Sequence, residues 1–302
     1  MSKISNACAE VRGKDWRKEH IGRISASVAP VLFGKGFITP LDLAIRMKKE
    51  IESGEVEEIE NPLFAMGHCL EQLNFQLFLK KHPELEEVKG FGGDRLFRSK
   101  KNPLFQCTPD RICYNKETKE YELVELKYDC TGKYYFNSPE DYCMNEGYPI
   151  QVQTQMLVFD VIKKGHLSTL NNYGNQFDVP FKASSKLQEQ ILEKGTSFIT
   201  DCVLGDKEPE IMSVEDTKIC KQIDKPVVAT QEIIDAINKL NSYEMSVKIL
   251  HNNIGYKDKE FGFEALKSKV QIFMGGNNLL VDEYGNELAT YSLGNWRTFK
   301  LK

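Results

Sequence analysis

The stretch from Phe105 to Asp129, FQCTPDRICYNKETKEYELVELKYD, constrains the fold more than any other part of the chain. Two β-type runs flank the polar cluster Asn115–Glu120, which is the pattern of a hairpin. The second run sets Glu125 and Lys127 among Leu123, Val124 and Leu126. Period two places both charges on the Leu123 face and leaves Val124 and Leu126 on the other, so in a central sheet the pair is partly buried. A buried carboxylate is unfavourable by several kcal/mol unless a cation or hydrogen bonds offset it.

Two readings of the pair stay open at this point. One is a Glu–Lys ion pair on an edge strand. The other is a divalent metal site, since the hairpin would bring Asp110 across from Glu125, and two convergent carboxylates with a backbone carbonyl suit a hard ion such as Mg²⁺. Three further acid-x-lysine triplets, at 87–89, 117–119 and 216–218, fall in polar loops or turns where charge is solvated.

The surroundings of the hairpin are helical. Thr39-Pro40 opens an apolar-periodic stretch through Met47, and a helix is also expected in the stretch before it. Residues 50–61 carry six glutamates and read as a solvated loop. Leu63, Met66, Leu70, Leu73, Leu77 and Phe78 recur at helical spacing over 62–81, until His82-Pro83. VKGFG, RLFRS, FQCTPDRICYN and YELVELKYD read as strands. IQVQTQMLVFDVI reads as a helix that packs Ile150, Leu157 and Val161 on the sheet, and 184–203 as another. Lys207–Pro226 is polar and reads as a linker; after it come helices over 231–251 and 257–274, and a hairpin turning at Tyr284-Gly285-Asn286.

With 302 residues, 41% of them hydrophobic, the chain can bury a sizeable core. No apolar run reaches membrane-spanning length and the N-terminus has no signal-like stretch, so a cytoplasmic setting in a bacterial host cell or equivalent is expected. None of the eight cysteines forms a C-x-x-C pair, which leaves free thiols as the expectation rather than a metal cluster. A net charge of −4 excludes a general nucleic-acid coat but leaves room for local basic surfaces, for which 12–23 and 89–101 are the candidates.

Pro109-Asp110, fourteen residues, then Glu125-Leu126-Lys127 is similar to the PD-(D/E)XK nuclease signature. The context resembles one branch of it, the lambda exonuclease or YqaJ-type viral recombinase family. CTPDRI resembles the family's C-S/T-P-D-G motif and VELK its E-x-K strand. WRKEHIGRISASVAPVLFGKGFITPLDL resembles its opening box, NPLFAMGHCLEQ its M-x-x-G-x-x-x-E helix, and GYPIQVQTQMLV its Q-V-Q-x-Q-M helix. The resemblance implies an α/β fold of restriction-endonuclease type, a mixed central sheet flanked by helices, over residues 1–210. A helix-plus-hairpin extension of unassigned role follows over 211–302.

The resemblance also implies roles. Asp110, Glu125 and the Leu126 carbonyl would hold one Mg²⁺ and Glu71 would approach a second, with Mn²⁺ able to substitute. Lys127 would orient or activate the attacking water, and Gln151 and Gln153 would help hold that water and the strand. Ser25 and Ser27, with Arg17, His20 and Arg23, match the region that grips a terminal 5′-phosphate. His20 stands where the family commonly has an arginine, Val28 where an aspartate is frequent and Arg111 where glycine is usual. The implied activity is a Mg²⁺-dependent 5′-to-3′ exonuclease on linear double-stranded DNA ends, leaving 3′ tails for a single-strand annealing protein, with a homo-oligomeric ring as the expected assembly and no membrane partner. The alternatives are an endonuclease of the same superfamily in restriction or repair, and a non-catalytic DNA-binding module.

Overall fold

A computed structural model describes residues 2–11, 18–56, 62–92, 95–129, 147–247, 262–292 and 298–302. Contacts divide the chain into two units, Met1–Ile38 with Leu43–Asp206, and Thr39–Asp42 with Lys207–Lys302. The first begins with α1 (Ser2–Ala7), β1 (Cys8–Glu10) and a 3-10 turn at Lys18–His20, followed by β2 (Ile24–Ser25) and a second 3-10 turn at Ala29–Phe33. The helix expected before Thr39 is therefore replaced by short turns among the described residues. Its sequence is drawn into tertiary pairing, with Ile24 and Ser25 lying parallel to Phe105 and Gln106, and Pro30 removes a helical donor.

Helix α2 (Pro40–Ser53) starts where Thr39 Oγ1 accepts the Asp42 N–H. It runs past Glu50, which is buried and bonded to Arg46 at 2.9 Å, so the acidic loop begins later than expected. Helix α3 (Pro62–Lys81) ends at His82 as predicted, and β3 (Leu85–Glu87), β4 (Phe97–Ser99), β5 (Phe105–Cys107), β6 (Arg111–Asn115) and β7 (Tyr121–Asp129) follow. Next come α4 (Gly147–Phe159), β8 (Lys164–Asn171), β9 (Gln176–Lys182) and α5 (Ser185–Ser197), the last extended by a π turn through Val203. Val161, expected on the packed face of α4, lies beyond its end and is exposed. Strands β8 and β9 occupy residues that periodicity leaves unassigned.

The central sheet has the order β3-β6-β7-β8-β9, with β7 parallel to β8 and its other neighbours antiparallel. A parallel pair needs a crossover, and α4 lies within the one between β7 and β8. Helix α3 covers one face, where Phe75, Phe78, Leu85, Cys113, Val124 and Leu126 form a core. Helix α4 covers the other, where Ile112, Leu123, Val152 and Met156 join the larger core. The alternation expected of β7 is thus observed, with both faces covered. A smaller sheet of order β1-β4-β5-β2 adjoins α4.

The second unit holds α6 (Asp216–Ile219), β10 (Ile223–Val228), α7 (Gln231–Val247), α8 (Phe263–Met274), β11 (Asn277–Val281), β12 (Glu287–Tyr291) and β13 (Phe299–Leu301). The predicted hairpin is β11–β12; the supposed linker instead contains α6 and the start of β10, an edge strand that tolerates Pro226. Leu240, Val270, Met274, Leu280, Ala289 and Tyr291 build its core. The expected helical residues 248–251 and 257–261 lie outside the described residues. No helix among the described residues is long and apolar enough to cross a membrane.

Candidate active site

The register of the β6–β7 hairpin builds the site. Arg111 faces Val124, so Asp110, one residue earlier, comes level with Glu125. The Asp110 carboxylate accepts the Leu126 N–H at 2.7 Å. The strand expected at 88–92 is not formed; β3 lies before it at Leu85–Glu87, and residues 89–92 run as turn and bend instead. Gly92 then lies so close that a Cβ there would stand 2.5 Å from the Asp110 carbonyl oxygen.

Glu125 is only 2% exposed and fully partnered. Its Oε1 accepts from Gln151 Nε2 at 2.6 Å and from Lys127 Nζ at 2.6 Å, and its Oε2 accepts from Gln155 Nε2 at 2.7 Å. β7 lies between β6 and β8, so the edge-strand account of the Glu–Lys pair is ruled out. Burial pulls the Lys127 amine down, but Glu125 and Asp110 beside it more than reverse that and hold it as an ammonium ion. Burial, followed by the like charges of Glu125 and Glu71, pushes the Asp110 carboxyl well above the usual range, against the opposing pull of Lys127 and the Leu126 N–H.

Asn74 of α3 fixes the other wall. It donates Nδ2 to the backbone carbonyls of Lys127 at 3.1 Å and Ser168 at 2.9 Å, and accepts from Ser168 Oγ at 2.7 Å. That clamp seats α3 on β7 and β8 and puts Glu71, one turn earlier, at a cleft of about 510 Å³ lined also by Ser27, Lys127, Tyr148 and Gln151. Glu71 lies 3.0 Å from His68, and Lys127 Nζ stands 5.7 Å from the Tyr148 ring centre. Asp110, Glu125, Glu71 and the Leu126 carbonyl offer hard oxygen donors, with three carboxylates set against the one ammonium of Lys127, and such a set suits a divalent cation of the Mg²⁺ or Mn²⁺ type.

Gln153 is not part of this constellation. It is two positions from Gln151 on α4, so it faces away, donating to the Lys182 carbonyl at 2.7 Å and accepting the Ser184 N–H at 2.9 Å. The residue that shares the Gln151 face is Gln155, four positions on. The i, i+4 rule applied to Gln151 would have found it, whereas the motif alone pointed to Gln153.

The predicted 5′-end region is assembled around the small sheet. Ser25 and Ser27 share a hydrogen bond of 3.1 Å, and Ser25 pairs with Gln106, whose partner across β4 is Arg98. The pair lies between β2 and the 3-10 turn at Ala29–Phe33 and starts no α-helix. Arg23 donates to the Ile21 carbonyl at 3.2 Å. Burial, then the nearby Arg98, lowers the His20 pKa, which disfavours the charged form that a stand-in for the family's arginine would need. Arg98, held by Glu19 at 2.9 Å, supplies charge that the sequence marked only as part of a basic stretch. Arg17 lies outside the described residues, as do Arg12 and Lys14. In the second basic stretch, Arg95 pairs with Glu10 at 3.4 Å and Lys101 with Asp160 at 2.5 Å.

An Asp–Glu–Lys centre on inner strands of a mixed sheet between helices defines a nuclease of the restriction-endonuclease-like class. The profile of the YqaJ-like viral recombinase domain matches residues 15–162, a span that contains all of the centre. The structure of LHK-Exo in complex with dAMP is similar with a TM-score of 0.50 and 16% identity, over 63% of this chain and 92% of that one. LHK-Exo is an alkaline exonuclease from Laribacter hongkongensis, seen again at a TM-score of 0.48 and 15% identity over the same shares of the two chains. A phage-related exonuclease from Haemophilus somnus 129PT aligns at 0.45 with 14% identity, over 59% of this chain and 92% of that one. No curated protein matches the chain. The match to a YqaJ-like viral recombinase domain over residues 15–162, with the Asp–Glu–Lys centre inside it, makes the chain a DNA nuclease similar to that family.

Proposed function

We propose that the chain is a Mg²⁺-dependent exonuclease that digests one strand of linear duplex DNA from its 5′ end and leaves 3′ single-stranded tails for phage-type recombination. The observation that carries this reading is the placement of Lys127 Nζ 2.6 Å from Glu125 while Asp110 rests on the Leu126 N–H, all beside the cleft that Glu71 reaches. Asp110, Glu125, Glu71 and the Leu126 carbonyl would hold the metal, which supplies Lewis-acid activation of water and stabilisation of phosphate charge. Gln151 and Gln155 keep the Glu125 carboxylate aimed. Lys127, held as an ammonium ion, is suited to orient a water molecule and offset charge on the scissile phosphate rather than to take up a proton. Ser25 and Ser27, with Arg23 and Arg98 nearby, would receive a terminal phosphate. A homo-oligomeric ring and an annealing partner complete the reading on the strength of the family resemblance.

The test compares wild type with Glu125→Ala and Lys127→Ala on linear duplex bearing a 5′-phosphate or a 5′-hydroxyl, and on closed circular DNA, with and without Mg²⁺. Digestion should need Mg²⁺ and a free end, prefer the 5′-phosphate, and fall by about 10²–10⁴-fold in the lysine variant while the fold survives. Cutting of the closed circle would establish an endonuclease instead, and intact linear DNA with persistent binding would establish a non-catalytic module.

A further inference from the structure

On the face of the central sheet opposite Glu125, a second set of charged groups is gathered beneath the end of α3. His166 of β8 is 1% exposed; its Nε2 lies 2.7 Å from Glu122 Oε2 and its Nδ1 lies 3.1 Å from both oxygens of Asp178 on β9. His82, just past α3, places Nε2 2.8 Å from Asp178 Oδ2 and Nδ1 3.1 Å from Glu84. Glu122 also receives Asn115 at 2.8 Å and Lys164 at 3.0 Å. The catalytic reading above uses none of these groups.

A neutral imidazole has one N–H, yet each of these rings meets a carboxylate at both nitrogens. The three carboxylates Glu84, Glu122 and Asp178 carry three negative charges, and Lys164 returns one. Two positive charges close the balance, and either two extra imidazole protons or one divalent ion supplies them. The inner nitrogens, His82 Nε2 and His166 Nδ1, both point at Asp178, and these three ligand atoms lie within 4.8 Å of one another. The outer nitrogens each face a carboxylate of their own, which is how metal-bound histidines are oriented in carboxylate–histidine–metal arrangements. Asp178 and His82 are partly exposed, so an ion has a route in.

We propose that His82, His166 and Asp178 form a second metal site that takes an imidazole-seeking divalent ion, Zn²⁺ by chemistry, with Glu84 and Glu122 orienting the two rings. Two nitrogen donors and one carboxylate favour Zn²⁺ over Mg²⁺, which sets this site apart from the all-oxygen set at Asp110, Glu125 and Glu71. The ion would displace the two inner N–H protons and leave the charge of the cluster unchanged. It would also rivet the end of α3, the helix that carries Glu71 and Asn74, to β8 and β9.

The test is a Zn²⁺ titration of chelator-treated full-length protein in excess Mg²⁺, read by competition with a chromophoric chelator and by calorimetry in buffers of different ionisation enthalpy. The Glu125→Ala variant serves as background, so that a failed nuclease reading and a failed zinc reading give different results. One Zn²⁺ per chain should bind with release of about two protons where both rings start charged, and Co²⁺ in its place should give the intense visible bands of a four-coordinate ion. His82→Asn, at a partly exposed position, should lose that equivalent while its circular dichroism is kept; Asp178→Asn provides a second variant. If wild type takes up no Zn²⁺ in excess Mg²⁺, or His82→Asn and Asp178→Asn bind as wild type does, the cluster is a proton-bridged network and the proposal fails.

Discussion

At the scale of single residues, the glutamines of α4 separate folding from chemistry. Gln155 holds one oxygen of a carboxylate that is 2% exposed, so its loss leaves Glu125 short of a donor at a buried position. Gln153 braces the end of β9 and the start of α5 instead, with Gln188 adding a contact at 3.3 Å. Gln155→Ala is therefore expected to lower nuclease activity by about 10–100-fold, as changes beside metal ligands do, and to lower stability by about 1–3 kcal/mol as well. Gln153→Ala should leave turnover near wild type and lower stability by about 1–3 kcal/mol, read by thermal melting. Equal activities for the two variants would remove Gln155 from the site. The distinction was available in the sequence, because helical spacing alone puts 151 and 155 together. The carboxylate–lysine centre was legible for the same kind of reason, since a charge in an apolar run needs a partner.

At the scale of elements, strong periodicity decided what could be read. α4 and β7 stand where helical spacing and alternation put them, because their buried faces write a pattern; α3 stands in its place although Met66 and Leu73 of its apolar spacing are exposed, and the 115–120 turn follows from its polar cluster, exposed over 116–120. β2, β3 and β10 are short or peripheral, and their pairing partners rather than their own residues define them. The cluster of His82, Glu122, His166 and Asp178 was invisible for a related reason, as it joins residues up to 96 positions apart on three strands and the turn after α3. Close packing of elements leaves its own trace in Gly195 of α5. A Cβ there would lie 2.5 Å from Cζ of Phe105, a ring buried on β5. Replacing a helical glycine with alanine normally stabilises by about 1 kcal/mol, whereas overpacking a rigid core costs about 1–3 kcal/mol. The steric term is the larger here, so Gly195→Ala should lower the melting temperature, and a rise would show that Phe105 can yield.

At the scale of the whole molecule, a chain of net charge −4 has to bind a polyanion, and the ion pairs show how that charge is managed. Arg98 is held by Glu19, Arg95 by Glu10 and Lys101 by Asp160, so three of the five cations of the basic stretch at 89–101 have carboxylate partners of their own. A cation that leaves a carboxylate for a phosphate gains less than a solvated one does, and fewer counterions are released per contact. Binding by this protein should therefore weaken with salt less steeply than its lysines and arginines suggest when counted from sequence. The Arg98–Glu19 pair gives the sharpest test, because Arg98 lies across Gln106 from Ser25, where a terminal phosphate is proposed to sit. Glu19→Gln, combined with Glu125→Ala to prevent digestion, should bind 5′-phosphorylated duplex more tightly at low salt. The plot of log K against log salt should steepen by about 0.9, the increment for one further phosphate contact. Weaker binding in the Glu19→Gln background would mean that Glu19 positions Arg98 for the phosphate rather than competing for it, and an unchanged slope would place the DNA end elsewhere.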